Sequence, residues 1–305
     1  MKYFKELLLL SNIKRMSHIK INNDYVPSIP KIKDFNSYLL KEYSKEDVDK
    51  ALEISEKTYE QIENSQNLTA VTIFDKEYPD NLKDLGAKAP PFLYVIGNYK
   101  ILSKPNIGVI GTRKPSLDTQ NFEYKFVHDI IMDFERVIVS GFALGCDKIA
   151  HTAAVDIGEP TIAVMPNGIN KISPENNIGL AKLIVNNEGC LISGFKPNSD
   201  VNQSNYSIRN QYVASLSDGI FVGQCSTDSG TMETVDYARR LNRKLACFLP
   251  EDCGSDDFTG SKLILNKYRH QSIRVDNEGD VSRFIQFLES KPKKRDYQST
   301  LLDFI

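Results

Sequence analysis

Residues 137–164 read VIVSGFALGCDKIAHTAAVDIGEPTIAV, and the fold is legible from this stretch outward. A short β-branched run, Val137–Val139, meets a glycine-rich turn. A helix predicted over 147–156 follows, and a second apolar run, Thr161–Val164, closes the unit. Strand, turn, helix and strand in so few residues is a βαβ unit. The same alternation continues on both sides, from Lys104 to Asp276. Ile107–Ile110, Cys190–Ile192, Gly219–Val222 and Leu245–Phe248 supply further runs, and helices are predicted over 120–134, 175–186, 206–216 and 230–241. Runs this short and this uniformly apolar suit strands buried on both faces of a parallel sheet. The pattern predicts an α/β fold with a doubly wound, mostly parallel sheet.

The flanks read differently. Residues 1–68 form a small helical N-terminal region. Leu7–Leu10 is its densest apolar run, and Ser44 with Asp47 three residues on marks a helix start. Residues 69–276 are the main domain, entered through a connector with short strands near 70–74 and 92–96. Residues 277–305 comprise a short amphipathic helix carrying Val281, Phe284, Ile285 and Leu288, then a Lys/Pro-rich tail.

Composition excludes several classes. The 305 residues are 41% hydrophobic and 26% charged with a net charge of −2. A uniformly basic coat is ruled out, while a local basic groove is not. No apolar run reaches the ~18–20 residues of a membrane span, and the start lacks a signal-peptide pattern. No membrane role and a cytoplasmic location are expected. The five cysteines are scattered, odd in number and without a CxxC pair. Reduced thiols fit best, and neither a metal site nor a cofactor is expected.

In a doubly wound sheet ligands sit at the carboxyl ends of the strands, so the loops there carry the functional reading. Gly111, Thr112, Arg113 and Lys114 follow the first run, offering close backbone approach and a planar cation to an anion, or forming a plain tight turn. Ser140, Gly141, Ala143 and Gly145 follow the second. Asp147 suits an N-cap, and His151 lies four residues on; the two read as a loop-organising pair or as a cap plus a surface histidine. Arg209 and Asn210 lie near a predicted helix start, where a cation opposes the helix dipole and invites an anionic ligand. Ser229, Gly230 and Thr231 open a further helix. The rim carries no nucleophile–base couple and no paired acid and base, which points to phosphate binding rather than catalysis.

These loops, in this order, resemble the DNA-processing protein A (DprA/Smf) family. The matching blocks are GTRKPS (111–116), SGFALGCDKIAH (140–151), TIAVMPNGINKISPENN (161–177), IRNQYVASLSD (208–218) and DSGTMETVDYA (228–238). YPDNL (78–82) and PPFLYVIGN (90–98) precede them and TGSKLI (259–264) follows. The resemblance implies an extended Rossmann-like fold and a homodimer. It implies binding of single-stranded DNA through backbone phosphates on the residues named above, and delivery of that DNA to a RecA-type recombinase. The chain departs from the pattern where Leu144 replaces an arginine, Gly194 a glutamate, Tyr206-Ser207 a Phe-Pro, Gln211 an arginine and Thr119 a glycine.

An alternative is a nucleotide-binding sensor or phosphoribohydrolase of the same superfamily, whose motif carries a glutamate where Thr234 stands here. Glu233 arrives one residue early, and ~100° of helical rotation is expected to turn it away from the pocket. In the tail, Gln298, Leu301, Phe304 and Ile305 have a spacing that resembles the PIP box, by which partners dock on sliding clamps.

Overall fold

The computed structural model describes residues 1–251, 253, 258–277 and 279–290. The helices are α1 (Phe4–Asn12), α2 (His18–Lys20), α3 (Phe35–Leu39), α4 (Lys45–Glu63), α5 (Asp80–Lys83), α6 (Leu117–Phe134), α7 (Cys146–Asp156), α8 (Ile178–Asn186), α9 (Gln203–Leu216), α10 (Gly230–Arg240), α11 (Thr259–Lys267) and α12 (Asp280–Glu289). The strands are β1 (Leu68–Thr72), β2 (Phe92–Gly97), β3 (Asn106–Ile110), β4 (Val137–Ser140), β5 (Thr161–Val164), β6 (Cys190–Ser193), β7 (Gly219–Val222), β8 (Lys244–Phe248) and β9 (Ser272–Val275).

One sheet holds these nine strands in the order β1-β2-β6-β5-β4-β3-β7-β8-β9. β6 through β9 in that order pair in parallel, whereas β1–β2 and β2–β6 are antiparallel. The doubly wound α/β architecture is therefore present. The chain winds from β3 toward β6 on one side and from β7 toward β9 on the other, so the order reverses between β3 and β7. That switch point opens a crevice at the strands' carboxyl ends.

Alternation along the strands distributes the core between the two faces. Val137 and Val139 join the layer under α9, α10 and α11, and Ile138 joins the layer under α6, α7 and α12. The segments read as a connector, β1 and β2, extend this same sheet as its antiparallel edge. β9 was not foreseen from sequence: in Ser-Ile-Arg-Val only the end residues are buried, which leaves no run to recognise.

The N-terminal region rests on the sheet. Leu7, Leu8, Leu9 and Leu10 are all buried, in one cluster with Phe92 and Tyr94 of β2 and Leu180 and Ile184 of α8. Ser44 caps α4 by accepting from the Asp47 backbone N–H at 3.2 Å. The clamp-motif residues Gln298, Leu301, Phe304 and Ile305 lie outside the described residues. Among the described residues, no helix is long and apolar enough to cross a membrane.

Because the shared cluster makes the N-terminal region part of the sheet's core, Leu7→Ala is expected to destabilise the whole chain by about 2–5 kcal/mol. Denaturant unfolding followed by far-UV circular dichroism checks this: one transition should move as a unit, without a separate early phase.

Candidate anion-binding site

At the switch point a cavity of about 480 Å³ is lined by Gly111, Thr112 and Arg113 from the β3–α6 loop, Ala143 and Asp147, Tyr206, Arg209 and Asn210 of α9, and Ser229, Gly230, Thr231 and Glu233 of α10. A larger recess of about 650 Å³ lies beside α6 and β8. Asp118, Asp129, Glu251 and Asp276 line that one with Lys125 and three phenylalanines, so acidic groups outnumber basic ones there.

The loop that carries Arg113 is tied at both ends to one residue. Gln224 takes the Thr112 N–H on its backbone carbonyl at 2.8 Å, and its side-chain oxygen accepts from the Ser116 N–H at 2.8 Å and the Thr119 hydroxyl at 2.9 Å. Arg113 is exposed between these anchors. Among the described residues no carboxylate pairs with it; its guanidinium lies 5.5 Å from the centroid of the Tyr206 ring. Lys114 is exposed beside it, outside the cavity wall.

Arg209 is placed differently. α9 begins at Gln203, where Asn202 caps it by accepting from the Asn205 N–H at 2.9 Å. Arg209 therefore sits two turns inside the helix rather than at its start, and the dipole argument does not apply to it. Its Nη1 contacts Asp147 Oδ2 at 3.3 Å, with the two side chains 9% and 7% exposed. A Cβ on Gly141 would overlap this guanidinium, so glycine is the residue that lets the arginine lie against the turn. The buried Nε of Arg209 has no hydrogen-bond partner.

The Asp147–His151 pairing is not made. α7 starts at Cys146 with Gly145 as its N-cap, so Asp147 lies inside the first turn. Its Oδ2 accepts from the Ala143 N–H at 3.1 Å, and in that way it organises the loop. His151 is fully buried and its Nδ1 bonds the Thr161 hydroxyl at 2.8 Å. Burial holds its pKa down to about 3, with the Arg209 charge adding to the effect.

Ser140 also leaves the site: it is buried, and its hydroxyl donates to the Val109 carbonyl at 2.7 Å. Gly145 shapes the turn from behind, at φ 76°, where a Cβ would strike the Thr112 carbonyl. Ser229 turns its hydroxyl to the Ser226 carbonyl at 2.8 Å instead of capping α10. The first N–H groups of α10 thus keep no side-chain cap, which suits an anion.

Two carboxyl groups contradict or escape the sequence reading. Glu233 lines the cavity rather than turning away: Ser207 Oγ donates to its Oε1, and Asn210 Nδ2 donates to its Oε2 at 3.1 Å. The rotation argument failed because α9 packs along α10 and its polar side chains draw Glu233 toward the crevice. Glu123 was missed. It is wholly buried, with the Cys146 thiol as its polar neighbour. A Cβ on Gly223 would overlap Glu123 Oε2, and one on Gly111 would overlap Cys146 Sγ. The signal was present: Glu123 falls on the buried stripe of Thr119, Phe126, Val127 and Ile130. Burial raises its pKa well above the carboxylate range; the neighbouring Cys146 thiol opposes the shift and the Asp147 charge adds to it. Among the described residues, no His/Cys/Asp/Glu group is placed to hold a metal ion, and the described cysteines are free thiols.

The segment that builds this crevice matches known proteins. Residues 69–281 match the DNA recombination-mediator protein A family. The chain belongs to that family. Within it, the chain is 31% identical over 182 residues to Protein Smf of Synechocystis and 31% over 178 residues to DNA processing protein DprA of Streptococcus pneumoniae. Those matches cover 58% of this chain but 45% and 62% of the two relatives. Protein Smf of Borreliella burgdorferi is 28% identical over 260 residues, covering 82% of this chain and 80% of that protein. The X-ray structure of the S. pneumoniae family member superposes with a TM-score of 0.74 at 23% identity, over 93% of this chain and 98% of that one. The Helicobacter pylori member, solved to study its single-stranded DNA binding, gives 0.62 at 26% identity, over 73% and 97%. The family's fold is thus this chain's fold, and the crevice is its topological switch point.

The buried acid yields a stability test. In the unfolded chain Glu123 ionises near its ordinary value of 4.5, whereas burial in the folded protein raises its pKa well above that value. Its contribution is fully present below that pH and drains away as pH rises. Glu123→Gln is therefore expected to match wild type near pH ~4 and to melt at higher temperature near pH ~7–8, as measured by thermal melts across pH.

Proposed function

We propose that this chain binds single-stranded DNA by its backbone phosphates in the switch-point cavity, as a non-catalytic factor that passes the strand to a RecA-type recombinase and works as a homodimer. The observation that carries the reading is Arg113: an exposed arginine with no carboxylate partner among the described residues, on a loop anchored at both ends, facing uncapped N–H groups of α10. Family membership supports it, and so does the single-stranded DNA binding studied for the H. pylori relative. Thr112, Ser229, Gly230 and Thr231 supply hydroxyl and backbone donors. Arg209 supplies a second cation already half-committed to Asp147. Contacts of this kind grip the backbone without reading sequence.

Glu233 gives the nucleotide-hydrolysis reading a specific observation, since its carboxylate lines the cavity. Both of its oxygens are engaged by α9 side chains, which supports a structural role. Incubation with nucleoside monophosphates is expected to release no base; sustained release abolished in Glu233→Ala would establish the enzymatic reading instead.

Arg113→Ala is the clean test of DNA binding. Affinity for single strands should fall to a similar degree for every sequence, and the slope of log affinity against log salt should flatten by about 0.7 for one lost contact. Unchanged affinity and slope in anisotropy titrations would remove the cavity from the account. Arg209→Ala is less clean: it leaves Asp147 buried and unpaired, at a cost of about 3–5 kcal/mol.

A further inference from the structure

On another face of α9, away from the crevice, a separate cavity of about 570 Å³ lies where the N-terminal region meets the end of the sheet. Ile19, Ile21, Phe92, Phe195 and Ile208 make its wall mostly apolar. Lys88, Lys196 and His18 line it as well. Among the described residues no carboxylate lines it, and neither lysine pairs with one. Burial lowers the pKa of His18 to about 4 and that of Lys196 below its ordinary value. Both shifts mark a place where positive charge is poorly hydrated, a deficit that an anion relieves.

Two tyrosines give the cavity its polar groups. Among the described residues four tyrosines are buried to 2% exposure or less. Tyr25 hydrogen-bonds Glu42 and Tyr43, and Tyr78 donates to the Pro90 carbonyl at 2.7 Å. Tyr94 and Tyr212, the two that line the cavity, have no hydrogen-bond partner for their hydroxyls among the described residues. A buried tyrosine hydroxyl ordinarily finds one. Neither oxygen is sealed off, so both open on the cavity. A Cβ on Gly194 would lie 2.8 Å from the Tyr212 ring and 3.1 Å from its hydroxyl oxygen. Where the family pattern has glutamate, glycine thus clears the way to that hydroxyl and removes a negative charge.

We propose that this cavity binds a small organic carboxylate with an apolar body. The Tyr94 and Tyr212 hydroxyls donate to the carboxylate, Lys196 balances its charge, and the body lies against Phe92, Phe195 and Ile208. Size, a mostly apolar wall and a few polar groups are what a small-molecule site requires. The apolar share of the wall favours one charged group on a hydrophobic body over a multiply charged phosphate. The site does not depend on the strand-binding reading of the crevice.

Titration calorimetry of the full chain with 2-naphthoate and with decanoate, each against its neutral amide, tests this. At least one acid is expected to bind about 10-fold more tightly than its amide, and which one tells a flat body from a flexible one. The double variant Tyr94→Phe/Tyr212→Phe should weaken that acid about 10-fold and leave the amide unchanged, and Lys196→Gln should act in the same direction. Because the two hydroxyls have no protein partner to lose, the double variant without ligand should melt no lower than wild type. Failure of both acids to bind, equal affinity for acid and amide, or unchanged acid affinity in the double variant overturns the site. A lower melting temperature of the ligand-free double variant overturns it too, since the hydroxyls would then already be engaged. Arg113→Ala is expected to bind the acid as wild type does; loss of binding there would put the acid in the crevice instead.

Discussion

Arg209 and Asp147 meet at 3.3 Å with both side chains more than nine-tenths buried, and the crevice is organised around that pair. Two charges withdrawn from water are tolerated only where each keeps a partner. Asp147 meets the demand twice, through Arg209 and through the Ala143 N–H. Arg209 lies in space that any residue larger than Gly141 would fill. One contact therefore joins α9, the first turn of α7 and the loop after β4. Its geometry leaves no room to change one of these elements without moving the others.

The groups beneath the crevice are titratable, yet burial works against their charged forms. His151 has its pKa held down to about 3, while Glu123 and Cys146 are pushed well above their ordinary values. Burial disfavours the charged form of each of the three. Of the two carboxyl groups at the wall, Asp147 faces Arg209, while Glu233 accepts from the neutral Ser207 and Asn210 side chains.

The parallel strands were legible because strands buried on both faces must be apolar throughout, and Val137–Val139 or Gly219–Val222 leave no other reading. β9 was not, since Arg274 and Ile273 are only half-buried on an edge. In the site, the loops at Gly111, Ala143 and Gly230 were located by glycine and hydroxyl patterning alone. Side-chain direction was the weak point. Ser140 faces into the sheet, His151 serves Thr161, and Glu233 is drawn toward α9. Each of these is set by a neighbour distant in sequence, which local spacing does not encode. Arg209 was misplaced for a smaller reason: Asn202 starts α9 three residues earlier than the apolar pattern suggested.

Gln224 holds both ends of the Arg113 loop, one with its backbone and the other with its amide oxygen. The conformational entropy of that loop is consequently spent when the chain folds rather than when a strand arrives. What remain free on it are the exposed Arg113 and Lys114 side chains. An anion reaching this loop would meet a stiff backbone with two searching cations, a combination that favours fast capture and fast release over a slow, tightly fitted embrace.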